Sequence, residues 1–569
     1  MESSDYEEES DDDCDDEKRR YKKRSKTPLL GHRRLHLEPW PYMVSMEHSF
    51  RSRFFHLNDF LCFSANLTSW VAENRDTTFF PGSNISSRFT VNNITSKEEE
   101  EVKILSRFSG GLVNNSPIMF CGGPITAMAW CPSNNEEQVL AVVSKLDFDA
   151  TKQGEEGGGK GLIQFWRMGK LGMEGNGEAP VLQFSVGHQY GCVREVEWCP
   201  SLGRDLGRLG LIGAACGDGS VRVWTIPSLD TVQEEGLMYV READMSLVCG
   251  EKVGQCLTLS WYKGPGHNYI AASFSSGMVC IWYLATMSSL LKNGNTLLPV
   301  QSWLAHTGSV TGLSLCPGEE ERPKYLITGG SDRCYRFWDL TNLAVPLQEV
   351  KRGLVSGVKW IPGWNGGSVT YDDVYLQGHT QSIIAETGYY STKPSPVLAQ
   401  NSSVLDQDMS HWVGTIAIVT AAGELVVFAV PPLDRNLEHD KNLGQRRTYV
   451  YRTEVAKDTK EQMDLRKYED MKEISMIRFI DMPITKSTMD ISTIKDMVRV
   501  RVAERMDVED LTCFPLASIT KVAWNNNLGS QFWLVSGGQS GLVRAHCVQV
   551  LNTVRMKEAL KEVMTGDKT

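Results

Sequence analysis

Long apolar runs are missing from this 569-residue chain. No stretch of about 18 uncharged apolar residues occurs, so no membrane-spanning helix is expected. The N-terminus opens on acids instead of a basic cap and an apolar stretch, which leaves no secretory signal, and the chain is expected to stay inside the cell. Paired cysteines are missing too. The 14 cysteines stand singly, as at Cys131, Cys199, Cys216, Cys280 and Cys316, without the close pairing that a zinc site needs. Most fall in strand-like patterns and read as buried, reduced thiols.

Catalytic signatures are equally scarce. The loop Gly154 to Gly161 is glycine-rich, but a phosphate cradle needs Lys followed by Ser or Thr at a helix start, and here Gly161 follows Lys160. No Gly-x-Ser-x-Gly elbow accompanies the Ser, His and Asp residues, and no pair of carboxylates is placed for general acid and base work. An enzyme is not expected, nor a cofactor, a metal or a small-molecule substrate. Clustered positive charge is absent from the body of the chain, whose formal net charge is −11. Such a body is not expected to bind DNA phosphates over a broad face.

Positive charge clusters only near the N-terminus. A run of acids from Glu2 to Glu17 is followed by Lys18, Arg19, Arg20, Lys22, Lys23, Arg24 and Lys26. The basic block suits a nuclear import signal, with weak phosphate contact as the alternative. Residues 1–44 lack apolar periodicity and read as a disordered acidic and basic tail. Residues 45–112 hold apolar clusters such as Phe54-Phe55 and read as a segment packing on the domain that follows.

That domain is repetitive, which is how a chain too long for one ordinary core can still be compact. One unit is an alternating strand ending in Trp, often Trp-Cys-Pro, then an apolar strand, a tight Gly or Asp turn, and a short strand ending in Trp or another aromatic. Copies begin at Ile125 to Pro132, Val193 to Pro200 and Cys256 to Trp261. The fourth is the fullest, with Ala305-His306, Val310 to Pro317, Leu326 to Asp332 and Tyr335 to Asp339, a WD repeat with its dipeptide intact. A fifth from Gly357 and a sixth around Thr415 to Phe428 are degenerate, and a seventh runs from Ile519 to Ala545. The expected fold is all-β, a seven-bladed WD-type β-propeller over residues 113–548. The last copy lacks an outer strand, and Pro117 to Cys121 is placed to supply it. Asp434 to Asp510 reads as a charged insertion, helical or disordered, before the last blade, and 549–569 as a charged C-terminal tail.

Within the fourth copy His306, Thr328, Asp332 and Trp338 are spaced for a hydrogen-bonded chain that staples the blade. In the second copy His188, Asp218 and Trp224 recur, but Ala214 stands where a hydroxyl belongs, so that network is expected to be incomplete. The repeat accounts for these positions without a catalytic triad.

The stretch Trp533 to His546 closely resembles the closing blade of the WD-repeat subunit family of transcription factor IIIC, the DNA-binding factor for RNA polymerase III. Gly122-Gly123-Pro124 with Trp130-Cys131-Pro132, Leu304-Ala305-His306 with Phe337 to Leu340, and Trp360 with Tyr371 to Tyr375 are similar to other blades of that family. The resemblance covers about Gly122 to Val548. It implies a nuclear scaffold that pairs with other transcription factor IIIC subunits at internal promoters of tRNA genes, reaching promoter DNA mainly through the complex. Family members often carry a long basic extension, whereas this tail is short, which argues against direct DNA binding by this subunit. A WD adaptor of another kind stays open. A ubiquitin-ligase receptor would place Arg two residues after Trp338-Asp339, where Thr341 stands, and a histone reader would need an acidic channel or aromatic cage.

Overall fold

The computed structural model describes residues 41–55, 70, 72, 77–93, 101–134, 136–146, 159–201, 207–232, 234–250, 253–363, 366–372, 382–386, 395–398, 402–430, 447–457, 472, 475–482, 514–551 and 554–565. The fold is all-β. Among the described residues the strands form seven sheets of four to six strands. Each sheet begins at one edge with a leading strand: Ile125–Trp130, Glu195–Trp198, Cys256–Trp261, Val310–Leu315, Val355–Trp360, Val404–Ser410 and Ile519–Trp524. Alternation makes these strands two-sided. Val310, Leu313 and Leu315 are buried while Thr311 and Ser314 are half-buried on the other side.

In six of the seven leading strands the register slips just after the first residue, as between Val310 and Gly312. A bulge of this kind bends the strand and raises its twist. The hydroxyl of the extra residue is then free to bond a carbonyl, as Thr520 Oγ1 does to Ile125 O of the first sheet at 2.8 Å. Indoles at the other end of the strand also reach across. Trp198 Nε1 donates to Ala129 O at 3.1 Å, and Trp130 Nε1 donates to Ala523 O at 3.1 Å, so the seventh sheet is bonded to the first.

The seventh sheet is completed from the N-terminal side. Ser116–Phe120 pairs antiparallel with Leu542–Cys547, and Ser109–Val113 pairs outside it, so the segment expected to supply the missing strand does so. Two parallel strands were not legible in the repeats. Leu237–Val240 adds to Val181–His188 of the first sheet, and Arg88–Asn93 adds to Ser475–Asp481 of the sixth.

The interval read as a charged insertion differs from its expected structure. Its described parts Arg447–Lys457 and Ser475–Asp481 are strands of the sixth sheet, paired antiparallel with each other. Tyr449, Val450, Tyr451, Thr453, Ile477 and Phe479 are buried, and a register shift at Val450 together with charged neighbours such as Arg452, Glu454 and Arg478 obscured the period of two. Arg544, 1 % exposed, then ties this extension to the seventh sheet through two hydrogen bonds of 2.6 Å to Asp481.

The N-terminal helix Pro41–Phe54 begins inside the segment read as tail, with Met43 and Val44 buried. It contacts the C-terminal helix Val554–Thr565, whose Met556 and Leu560 share a core cluster with Val44. The rest of residues 1–44 lies outside the described residues. No described helix is long and apolar enough to cross a membrane.

The tight turns between second and third strands carry a left-handed residue: Gly219 at φ 82°, Gly277 at 92°, Gly423 at 78° and Gly541 at 75°. In the fourth sheet that place is held by Arg333 at φ 68°. A Cβ in the left-handed region costs roughly 1–2 kcal/mol, partly offset by the entropy glycine loses on folding. Arg333→Gly is therefore expected to stabilise the protein by about 1 kcal/mol in urea unfolding, and a loss of stability would contradict this account.

Candidate interaction site between the leading strands

An edge strand leaves N–H groups unpaired, and the leading strands meet that cost with side chains of their neighbours. Leu259 N and Trp261 N of the third sheet donate to Glu195 Oε2 and Glu197 Oε2 of the second, at 3.1 and 2.7 Å. Leu315 N donates to Ser260 Oγ at 3.1 Å and Trp360 N to Ser314 Oγ at 3.0 Å. Val522 N and Trp524 N donate to Asp406 Oδ2 and Asp408 Oδ2 at 3.0 and 2.7 Å. Between the fifth and sixth sheets the bond is lateral, from Ser368 Oγ to Gln407 Oε1 at 2.6 Å.

The acidic acceptors and Gln407 border a cavity of about 160 Å³. Its walls carry Glu195, Glu197, Asp406 and Asp408 against Lys263, Lys359 and Lys521, with Ala127, Ala129 and Ala523 supplying an apolar strip. The ion pairs are loose. Lys359 Nζ lies 4.0 Å from both Glu195 and Asp408, and Lys521 Nζ lies 3.9 Å from Asp406. Burial pushes the carboxyls of Glu195 and Asp406 up, and that of Glu197 to about 7 against the pull of Lys263. Burial lowers Lys263. At Lys359 burial is outweighed by the surrounding carboxylates, Asp408 and Glu195 first, which raise it.

The N-terminal helix covers the end of this cavity where the leading strands finish. Arg51 and Phe55 line it. Glu47, 5 % exposed, accepts from Arg51 Nε at 2.6 Å and lies 3.7 Å from His411 Nδ1. Burial alone would raise the Glu47 carboxyl, but Arg51 and His411 outweigh it and hold it well below the carboxylate range. Phe55 meets the His267 ring edge-on at 5.4 Å, and Arg51 lies over the Trp412 ring.

The structure brings His306, Thr328, Asp332 and Trp338 together. His306 Nδ1 is 2.9 Å from Asp332 Oδ1, His306 Nε2 is 2.8 Å from Thr328 Oγ1, and Trp338 Nε1 donates to Thr328 Oγ1 at 2.9 Å. Burial lowers His306, and its Nδ1 lies within hydrogen-bond distance of both Asp332 and Arg336 Nη1, at 2.6 Å from the latter. Burial would raise Asp332, but hydrogen bonds from Arg336 and His306 outweigh it and hold the carboxyl at about 2. In the second sheet His188 does not reach Asp218 or Trp224 by a hydrogen bond. Its Nε2 is buried without a partner, Asp218 pairs with Arg222 at 2.9 Å, and Trp224 Nε1 turns to Arg241 O at 3.4 Å. The first sheet has a polar chain of its own, Trp166 Nε1 to Gln164 Oε1 at 3.1 Å and Gln164 Nε2 to Ser144 Oγ at 3.0 Å, built without the His and Asp that mark the fourth copy in the sequence. The cavity charges were also missed. Their signal is a charge at alternate positions of a strand that otherwise buries its residues, as in Glu195-Val196-Glu197-Trp198. Lys18, Arg19, Arg20, Lys22, Lys23, Arg24 and Lys26 lie outside the described residues.

Two measurements check these assignments. Thr328→Val leaves the Trp338 indole N–H and His306 Nε2 unpaired, which is expected to cost about 2–4 kcal/mol in urea unfolding; a cost near zero would show that the chain does not hold the sheet. His188, lowered by burial from 6.5 to about 4, must stay neutral in the fold. Its contribution is present above pH 6.5 and is lost as pH falls towards 4. Glu197, raised from 4.5 to about 7, acts in the opposite sense, its contribution being lost as pH rises through that window. Stability measured from pH 4 to 7 should fall less steeply on acidification in His188→Gln and more steeply in Glu197→Gln.

Comparison with known proteins places the chain. Residues 297–339 match the family of the WD domain, G-beta repeat, and coincide with the outer strand of the third sheet and most of the fourth. The chain is 29 % identical over 482 residues to general transcription factor 3C polypeptide 2 of Homo sapiens, covering 76 % of this chain and 52 % of that protein. The Pongo abelii protein of the same name gives the same figures. Transcription factor tau subunit sfc6 of Schizosaccharomyces pombe is 21 % identical over 445 residues, covering 77 % of this chain and 64 % of that one. The chain thus spans about half the length of the primate relatives it matches. Carrying a WD repeat and aligning with these proteins over most of its length, the chain is a homologue of general transcription factor 3C polypeptide 2.

Proposed function

We propose that the seven sheets are the blades of a closed seven-bladed propeller, and that this propeller is a non-catalytic scaffold within a nuclear transcription factor IIIC complex. Closure is supported by the bonds that run from the seventh sheet to the first: Thr520 to Ile125, Trp130 to Ala523, and Asn527 Nδ2 to Cys131 O at 2.8 Å. The transcriptional role is carried by one observation, the similarity to general transcription factor 3C polypeptide 2 across 76 % of the chain. The protein holds partner subunits at internal promoters of tRNA-type genes for RNA polymerase III, and promoter DNA is met mainly through the complex. The outer edges of the third and fourth sheets suit subunit contact, since Met287, Leu290, Leu304, Val345 and Leu347 are each more than half exposed. The block Lys18 to Lys26 serves nuclear import. The His306 chain and its reduced counterpart at His188 serve the blades and take no part in chemistry on a substrate.

Tagged protein purified from nuclei is expected to bring down transcription factor IIIC subunits and to occupy tRNA genes in chromatin profiling. Charge-neutral replacement of Lys18 to Lys26 should leave the protein in the cytoplasm with its folding unchanged. Absence of the subunits from the purified material, together with no enrichment at tRNA genes, would sink the scaffold reading.

A further inference from the structure

Seven sheets leave seven outer edges, and six of them are guarded. The first ends in Leu237–Val240, bridged by Ala72 at Tyr239, and the sixth ends in Arg88–Asn93, bridged by Lys103 at Phe89. The seventh ends in Ser109–Val113, where Pro180 lies so close over Gly110 that a Cβ there would meet its carbonyl oxygen. The second ends in the exposed pair Lys292–Asn293, and the fourth in Gln348–Lys351, with Glu349 and Lys351 exposed. The fifth ends in Ser395–Leu398, where Pro396 has no N–H to offer. Covering segments, charges and proline are the devices that keep a sheet edge from pairing with another chain.

The third sheet has none of these. Its outer strand Gln301–Leu304 pairs with Met278–Tyr283 and, among the described residues, with no further strand. No charged residue occurs in 293–305, and Pro299 stands before the strand, not in it. The rim beside it is apolar. Of the twelve large hydrophobic side chains exposed among the described residues, five fall within 287–304, and two more, Val345 and Leu347, sit on the connection that leaves the third strand of the fourth sheet. Gln301 Nε2 donates to Leu340 O of that connection at 2.9 Å, and Leu343 packs in one cluster with Trp303, so the connection borders the edge. Exposed hydrophobics gathered in one place mark a contact surface, which singly scattered ones do not.

We infer that Gln301–Leu304 is a docking edge that takes a β-strand of a partner protein, uncharged and apolar at alternate positions, as the fifth strand of the third sheet. The inference rests on the scaffold reading and names the part of a partner subunit that the scaffold holds. A strand is the occupant because the edge offers a row of backbone N–H and C=O groups, which another extended backbone satisfies in series and a helix does not. Alternation follows from the period of two. Incoming side chains on the face of the exposed Leu304 meet hydrocarbon, where a charge would be desolvated without a counter-ion. The first and sixth sheets show that outer edges of this chain take a further strand, since Leu237–Val240 and Arg88–Asn93 are added there from elsewhere in the sequence. A second copy of the chain is a poorer occupant, because both copies would bring a net charge of −11.

The test uses the full tagged chain purified from nuclei, with transcription factor IIIC subunits as the captured partners. Ser302→Lys with Leu304→Lys gives this edge charges of the kind that guard the fourth sheet, at two exposed positions. The double variant should recover at least about tenfold less of the subunits, with its urea midpoint unchanged. Amide exchange across residues 299–305 should slow at least about tenfold in the captured complex relative to the free chain, because strand addition protects amides that side-chain contact leaves open. Leu304→p-benzoylphenylalanine should crosslink to a partner segment free of charge and proline. Full recovery by the double variant, unslowed exchange, or a crosslink into a charged or proline-bearing segment would each overturn the inference while the scaffold reading stands. A dimer of the full chain in sedimentation, abolished by the double variant, would overturn it as well by making a second copy the occupant. If the wild-type chain captures no subunit and is absent from tRNA genes, the scaffold reading falls and takes the inference with it.

Discussion

Everything in this protein depends on how seven strand edges that point towards one another are kept from remaining unpaired. Regular backbone pairing cannot do it, because strands that converge on a common space fan apart and lose the ladder spacing. The chain uses short side chains as substitutes for a neighbouring carbonyl. Glu195, Glu197, Ser260, Ser314, Asp406 and Asp408 each accept one N–H from the next leading strand. Where alanine or lysine takes the position, an indole or a lateral Ser–Gln pair spans the gap instead. The polar lining is therefore a structural device.

Within the sheets the solutions are more varied. The fourth has the full chain from Trp338 to Asp332, the first substitutes glutamine and serine, and the second leaves His188 Nε2 without a partner. Three ways of treating one position mean that no single polar chain is required for the repeat. Burial of the strand faces is common to all, with Trp166, Trp224, Trp261, Trp282, Trp524 and Trp533 among the largest fully buried side chains. The thiols belong to this packing as well, and burial pushes Cys199, Cys316 and Cys547 up to about 12, far from reactive thiolates.

Five of the seven leading strands were legible in the sequence because each combines alternation with a terminal Trp, and Val310–Leu315 was legible from the WD repeat around it, whereas Val404–Ser410 ends in Ser410 and escaped the reading of the sixth copy; the strand at Ser116–Phe120 was legible because the last repeat lacked a partner. What escaped notice was either non-local or disguised. Parallel addition of Arg88–Asn93 to Ser475–Asp481 has no local signature, since each strand would look the same beside any other edge. Arg447–Lys457 was hidden by charges on its outward face and by the charged stretch that follows. The helix Pro41–Phe54 begins in a charged tail, has no acid in its first turn and only a weak apolar stripe. Glu195 and Asp406 are far apart in sequence, and only the packing of the sheets brings both to the lining of one cavity.

Two sheets take strands from residues that precede every repeat: Ser109–Val113 and Ser116–Phe120 complete the seventh, and Arg88–Asn93 completes the sixth. On a ribosome these segments emerge before every repeat, and their pairing partners emerge only after most of the repeats have been made. Through most of synthesis the nascent chain must carry unclaimed strands such as Pro117-Ile118-Met119-Phe120, whose apolar residues end up buried. Pairings of such long sequence separation form slowly and leave sticky edges in the meantime. The same arrangement that joins the two ends of the finished molecule makes the unfinished one a natural client for chaperones.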